Sequence, residues 1–281
     1  MSPRATRVIA ALLMAPVAVG SVLYLPTPML AGLVAALMML GLWEWALLSG
    51  LNAMLPRACY LLANALLMLA LVWAAGPNVP TLKLFPLELA SVIGVVWWLF
   101  ALLWLRNFGF AATDSPGARA LKLLAGSLSV IPAWSALCWL HASQPLGPRW
   151  ALFAVAIVWA ADTGAYFVGV RFGKRKLAPR ISPGKSWEGL YGGMAATLLF
   201  ALAARSMLHV SYASLPLLLL LTLITGLISV AGDLFESLLK RHAGIKDSSD
   251  LIPGHGGVLD RLDSLLAALP VFLVAKIWLG L

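Results

Sequence analysis

The stretch Ala213-Ser-Leu-Pro-Leu-Leu-Leu-Leu-Leu-Thr-Leu-Ile-Thr-Gly-Leu-Ile-Ser-Val-Ala-Gly-Asp233-Leu-Phe235 carries no charge before Asp233. Twenty apolar residues at about 1.5 Å each match the roughly 30 Å of a bilayer's hydrocarbon, so a membrane-spanning helix is predicted over 213–235. The same ruler, carried outward, predicts eight more, over 7–25, 29–48, 57–76, 87–105, 120–141, 150–170, 188–209 and 262–280. The breaks fall where turn residues gather: Pro26-Thr27-Pro28, Gly76-Pro77, Asp114-Ser115-Pro116-Gly117 and Pro145 to Pro148. The expected fold is all-α, a polytopic membrane bundle of about nine transmembrane helices with no internal repeat. The first stretch, behind Arg4 and Arg7, resembles a signal peptide. With eight spans behind it, a retained helix is the more economical reading.

Composition agrees. Of 281 residues 62% are hydrophobic and 11% charged, and mean hydropathy is +0.93. A soluble domain carries about 25% charged residues, so a soluble enzyme, a disordered chain and a collagen-like chain are all excluded. The formal charge of +9 would suggest nucleic acid in a soluble protein. Here membrane insertion accounts for it, and no nucleic-acid partner is expected. With the N-terminus inside, 16 of the 20 cations fall in inner loops, leaving Lys83, Arg149, Arg205 and Lys276 outside. That split predicts a cytoplasmic N-terminus, and the short loops suggest a bacterial inner membrane. Trp43, Trp45, Trp150 and Trp278 lie near predicted span ends, as interfacial anchors do, whereas Trp97 and Trp98 are expected to pack within a span. Cys59 and Cys138 read as buried apolar fillers, not a disulfide or a metal site.

The acids follow another rule. Eight of eleven lie between 162 and 263. Residues 1–150 therefore read as a transmembrane scaffold of about five spans. Residues 151–281 read as the catalytic region, with cytoplasmic-facing loops over 171–187 and 236–261. Asp162 sits inside a span, with Tyr166 and Gly169 on its face. A carboxylate at that depth costs a few kcal/mol unless paired or wetted, so it is a functional candidate, with a structural hydrogen bond as the alternative. Glu44, between Trp43 and Trp45, reads equally well as interfacial or functional.

Between Arg171 and Lys185 stand six cations and no acid. Positive-inside bias or attraction to anionic lipid would account for part of this. A polyphosphate site is the sharper reading, because the run ends at Ser182-Pro-Gly-Lys185-Ser186-Trp-Glu188-Gly189, where Ser186 can cap a helix whose N-terminus favours an anion. Gly169-Val-Arg-Phe-Gly173-Lys174 has the wrong spacing for a P-loop and lacks its Ser/Thr.

The segment joining the last two spans is richer: Asp233, Glu236, Lys240, Arg241, Lys246 and Asp247, then Pro253-Gly-His255-Gly256-Gly257-Val-Leu-Asp260-Arg261-Leu-Asp263. Asp233 and Asp260 flank this connection on antiparallel helices, at one membrane level. There they could share a hard cation such as Mg²⁺, which takes a few carboxylates and keeps positions for phosphate oxygens. Gly256 and Gly257 allow close backbone approach. Lys240, Arg241, Lys246 and Arg261 supply phosphate donors. Zinc is disfavoured because no second His or Cys stands at ligand spacing. Ser237-Leu-Leu-Lys240 matches the Ser-x-x-Lys of penicillin-recognising enzymes only by chance, since those sites face outward.

From Ser237 to Asp263 the chain resembles the signature of the phosphatidate cytidylyltransferases (CDP-diacylglycerol synthases): Ser-x-Leu-Lys-Arg, four residues, Lys-Asp-x-Ser, two residues, Ile-Pro-x-His-Gly-Gly-Val-x-Asp-Arg-Leu-Asp. The segments Asp162-Thr-Gly-Ala-Tyr166 and Ser182 to Gly189 are similar to that family too. Before residue 150 the likeness is only that of apolar spans. The resemblance implies an integral membrane enzyme that joins CTP and phosphatidate into CDP-diacylglycerol and diphosphate. It also implies Mg²⁺, with K⁺ as a candidate second cation, and a homodimer within the membrane lipids. Asp233, Asp260, Lys240 and His255 become the expected catalytic set. Asp233 and Asp260 are the expected metal ligands, with Asp263 and Asp162 behind them or as further ligands. Ser182, Lys185, Glu188, Lys240, Arg241, Lys246, Asp247, Gly256, Gly257 and Arg261 are expected around the substrates. Two alternatives stay open: a CTP-using enzyme acting on another lipid phosphate or a polyprenol, and a cation-coupled transporter.

Overall fold

Residues 3–76, 84–249, 251 and 256–281 are described in a computed structural model, residues 3–13 by backbone alone. Among the described residues nine helices form: α1 (Pro3–Tyr24), α2 (Thr27–Leu48), α3 (Met54–Ala75), α4 (Phe85–Arg106), α5 (Pro116–Ala142), α6 (Gly147–Phe172), α7 (Trp187–Ala204), α8 (Leu215–His242) and α9 (Leu259–Trp278). Each overlaps one of the stretches predicted from hydropathy, although α7 ends at Ala204, short of the predicted 209. Six of them, α2 to α6 and α8, are long and apolar enough to cross a membrane, so the chain is a polytopic helical membrane protein.

The all-α expectation needs one correction. Strands β1 (Lys176–Ala178) and β2 (Ser182–Ser186) form an antiparallel hairpin between α6 and α7, pairing Lys176 with Ser186 and Ala178 with Ser182. These segments, Lys-Leu-Ala and Ser-Pro-Gly-Lys-Ser, are three and five residues long, too short for an alternation pattern to be read. The predicted loops shrink as well. The helix α8 runs on to His242 and α9 begins at Leu259, so Glu236 to Arg241 are helical and not part of a 236–261 loop. At the other loop α6 continues to Phe172, and Ser186 caps α7 by accepting from Gly189 N–H at 3.2 Å.

The bundle is organised around α9, which packs against α2, α4, α5, α6 and α8, while α6 lies along α7. Phe235 of α8 is fully buried in a nest of indoles from α2 and α4. Trp45 stacks on it at 6.0 Å, and Trp97, Trp98 and Trp104 meet it edge-on at 5.7, 5.9 and 5.3 Å. Such pairs add roughly 0.5–1.5 kcal/mol each beyond area burial, and Phe235 lies next to Glu236 and two residues from Asp233. Trp97 and Trp98 are core residues, as expected. Trp45 and Trp150 are buried, which corrects their reading as interfacial anchors; Trp278 remains exposed. Trp45 is inside because its indole N–H reaches the Lys122 carbonyl at 2.7 Å. Cys138 is buried but Cys59 faces outward, and neither is bridged.

Candidate active site

Two turns of α8 and the first turn of α9 carry the centre. Lys240, one turn beyond Glu236, donates to Glu236 Oε2 at 3.0 Å and to Asp260 Oδ1 at 2.6 Å. All three side chains are 10% exposed or less. The other oxygen of Asp260 accepts from Gly257 N–H at 2.7 Å, Ser248 N–H at 3.1 Å and Ser248 Oγ at 3.0 Å. One carboxylate thus joins α8, the connecting loop and α9. The loop closes on this carboxylate because Gly256 turns at φ 79°, a conformation that disfavours a Cβ.

Asp233, seven residues before Lys240 on α8, meets Lys185 of β2 at 2.5 Å and accepts from Ser237 Oγ at 3.3 Å. The hairpin is held against α8 by Arg241, whose Nε donates to the Ile181 carbonyl at 3.2 Å. At its other end the Glu188 carboxylate accepts from Lys174 N–H at 3.0 Å and Arg175 N–H at 3.2 Å. Asp162 of α6 and Asp263 of α9 lie close enough to Asp233 to repel it, with Lys185 and Arg261 offsetting part of the charge at Asp162.

Asp162, Lys185, Asp233, Lys240, Asp260 and Asp263 line a cavity of about 530 Å³. Its wall takes Asp162, Lys185, Asp233, Lys240, Asp247, Asp260, Arg261 and Asp263 from α6, α8, α9, the hairpin and the connecting loop, while Tyr166, Leu177 and, from α7, Leu190 and Met194 supply apolar wall. Eight residues singled out in the sequence therefore converge. Ser182, Glu188, Arg241, Lys246, Gly256 and Gly257 are not on that wall. In the structure Arg241 and Glu188 serve as ties of the hairpin, and the two glycines shape the loop. His255, together with Asp250 and Lys83, lies outside the described residues.

The sequence left Glu44 undecided, and the structure decides against an interfacial role. It is fully buried, and its carboxylate accepts from Ser248 Oγ, Ser249 Oγ, Val258 N–H and Leu259 N–H at 2.9, 2.5, 3.0 and 2.7 Å. An acid within an apolar span announces that it needs partners. Nothing in its neighbourhood in the sequence says that those partners stand more than 200 positions away.

The donor set suits a divalent cation. The wall holds five carboxylates against three cations, a formal excess of two negative charges, and its oxygens are the hard ligands that Mg²⁺ takes. Among the described residues no trio of His, Cys, Asp or Glu stands in chelating geometry.

A polytopic membrane protein with lysines and carboxylates converging on one cavity is built to handle a charged group beside lipid. Comparison with known proteins says which class this is: residues 5–278 match the cytidylyltransferase family, and the chain belongs to it. The likeness first seen in Ser237 to Asp263 thus extends over nearly the whole chain, including the scaffold. A phosphatidate cytidylyltransferase of Pseudomonas aeruginosa is 44% identical over 272 residues, covering 97% of this chain and 96% of that protein. Relatives of the same name from Haemophilus influenzae and Thermotoga maritima are 39% and 34% identical. They cover 89% and 98% of this chain, and 91% and 97% of their own length.

Proposed function

We propose that this cytidylyltransferase moves CMP from CTP to phosphatidate, giving CDP-diacylglycerol and diphosphate for phospholipid synthesis. The observation that carries the reading is the convergence of Asp162, Lys185, Asp233, Lys240, Asp260, Arg261 and Asp263 on one cavity, in a chain whose near-full-length relatives bear that name. A phosphatidate oxygen attacks the α-phosphorus of CTP, and the bond from that phosphorus to the bridging oxygen of the diphosphate breaks. The nucleophile is already an anion near neutral pH, so the barrier lies in bringing two anions together and releasing a third.

Lys185, Lys240 and Arg261 address that barrier by offering fixed donors to phosphate oxygens. Asp233 and Asp260 would hold Mg²⁺, with Asp263 and Asp162 close by; when bound, the ion screens phosphate charge and stabilises the leaving diphosphate. K⁺ is the candidate second cation. The salt bridge between Lys185 and Asp233 gives the hairpin a way to respond to substrate, because a phosphate competes with Asp233 for the same ammonium. His255 would order the glycine loop beside it. The apolar wall of the cavity suits the lipid end of phosphatidate.

In this reading all nine helices cross the membrane, with the N-terminus and the cavity on the cytoplasmic side of a bacterial inner membrane. The charge asymmetry of the loops supports that orientation, and the bacterial relatives support the inner membrane. We include a homodimer in the reading, on the family resemblance alone.

The test is diphosphate release by purified protein in detergent, given phosphatidate, Mg²⁺ and each nucleoside triphosphate in turn. Release only with CTP and lipid together, lost on chelation, is expected. Release that ignores the lipid, or none with any nucleotide from folded protein, would overturn the reading.

A further inference from the structure

The first turn of α9 is oriented by a residue from the far end of the chain. The N-cap of α9 is Val258, which has no side-chain acceptor to offer the first amides of the helix, and such amides must find partners when buried. They find Glu44 of α2, which accepts from Val258 and Leu259 on one side and from Ser248 and Ser249 on the other. All four bonds are to a buried carboxylate at the positive end of a helix, where a negative charge is favoured. Ser248 bonds both Glu44 and Asp260, so the two carboxylates share a donor. A Cβ added to Gly257 would overlap Ser248 Oγ and the Glu44 carboxylate, so the glycine is the clearance that lets the loop close on Glu44.

We infer that Glu44 is a positioning residue for the transfer reaction: it ties Ser248 and Ser249 to Val258 and Leu259, and through Ser248 and the start of α9 it holds Asp260 against Lys240. The catalytic half of this statement rests on the proposed function; the loop-anchoring half does not. Glu44 itself does not line the cavity, so its effect on turnover is exerted through Asp260.

The test compares wild-type protein with Glu44→Gln and Ser249→Ala in detergent. Gln keeps the shape but puts an amide NH₂ where a carboxylate oxygen accepted two of the four bonds. Ser249→Ala removes one donor and leaves the acid in place. Hydrogen exchange should rise at least tenfold at the amides of Ser248 and 257–259 in Glu44→Gln, with α4 and α5 unchanged. For the same variant kcat for CDP-diacylglycerol formation should fall at least tenfold, with KM for phosphatidate within twofold of wild type. Ser249→Ala should show a two- to threefold loss of kcat in the same direction. Unchanged exchange in the loop, or faster exchange with full turnover, would overturn the inference. If Glu44→Gln fails to fold, Ser249→Ala decides: wild-type exchange and turnover in that variant would equally overturn it. A wild-type protein without cytidylyl transfer would refute the proposed function instead, and the exchange data would still decide whether Glu44 anchors the loop.

Discussion

Lys240 offers the sharpest test of how the centre is balanced, because it is one ammonium serving two buried carboxylates. Replacing it with Met keeps the aliphatic volume and removes the charge. Glu236, 1% exposed, would then be left without its ion pair, and Asp260 would lose its 2.6 Å bond while keeping those from Gly257 and Ser248. Breaking a buried pair by removing one partner costs about 3–5 kcal/mol, a fall in thermal midpoint on the order of 10 °C for a chain of this size. The loss lies mainly in the stranded acid, so adding Glu236→Gln to Lys240→Met should return much of it. The two substitutions should couple by at least about 1 kcal/mol. Thermal unfolding of the two single variants and the double variant in one detergent, followed by tryptophan fluorescence, measures this. The double variant should remain inactive, because Lys240 also faces the cavity. A midpoint for Lys240→Met within about 2 °C of wild type, or strictly additive single effects, would refute the buried-triad reasoning.

Asp233→Asn should abolish diphosphate release while leaving folded protein with a near wild-type midpoint, since Asp233 is 28% exposed at its contact with Lys185; full activity would remove it from the metal and phosphate roles. Chelation of Mg²⁺ should stop turnover reversibly, with restoration by added Mg²⁺ followed in the same assay. Gly257→Ala should cost about 1–3 kcal/mol by overpacking against Ser248 and Glu44, read as a lower unfolding midpoint together with reduced turnover.

The parts of this site that the sequence revealed are those whose reason is local. Asp162 stands out because a carboxylate within an apolar span needs explaining. Gly256-Gly257 stands out because two adjacent glycines before a helix signal a turn or a close approach. Ser186 could be read as a cap from the helix that follows it. The helices themselves were legible because a bilayer imposes a length on them, and that length is visible in hydropathy whatever the partners. What escaped was set by contacts between distant segments. The β1–β2 hairpin has eight strand residues and little alternation, and it is held by Arg241 reaching Ile181 and by Lys185 reaching Asp233. Trp45 looked interfacial because only its position along the span could be read, not the Lys122 carbonyl that turns it inward.

Glu44 shows why dividing the chain into an apolar first half and a charged second half understates the first. The acids and cations of the centre cluster after residue 151, but they do not position themselves. Asp260 depends on Ser248 and on the start of α9, and both are held by an acid on α2. The segment of α8 that carries Asp233, Glu236 and Lys240 is pinned at Phe235 by Trp45 of α2 and three indoles of α4. A cavity that must bring together anionic substrates cannot tolerate carboxylates free to relax away from each other, because their repulsion would open it. The indole nest and the Glu44 cap resist that repulsion with buried apolar area and charge-assisted bonds, and both come from helices that contribute no residue to the cavity wall. On the proposed function, α2 and α4 thus serve the chemistry by keeping the charges where they are costly.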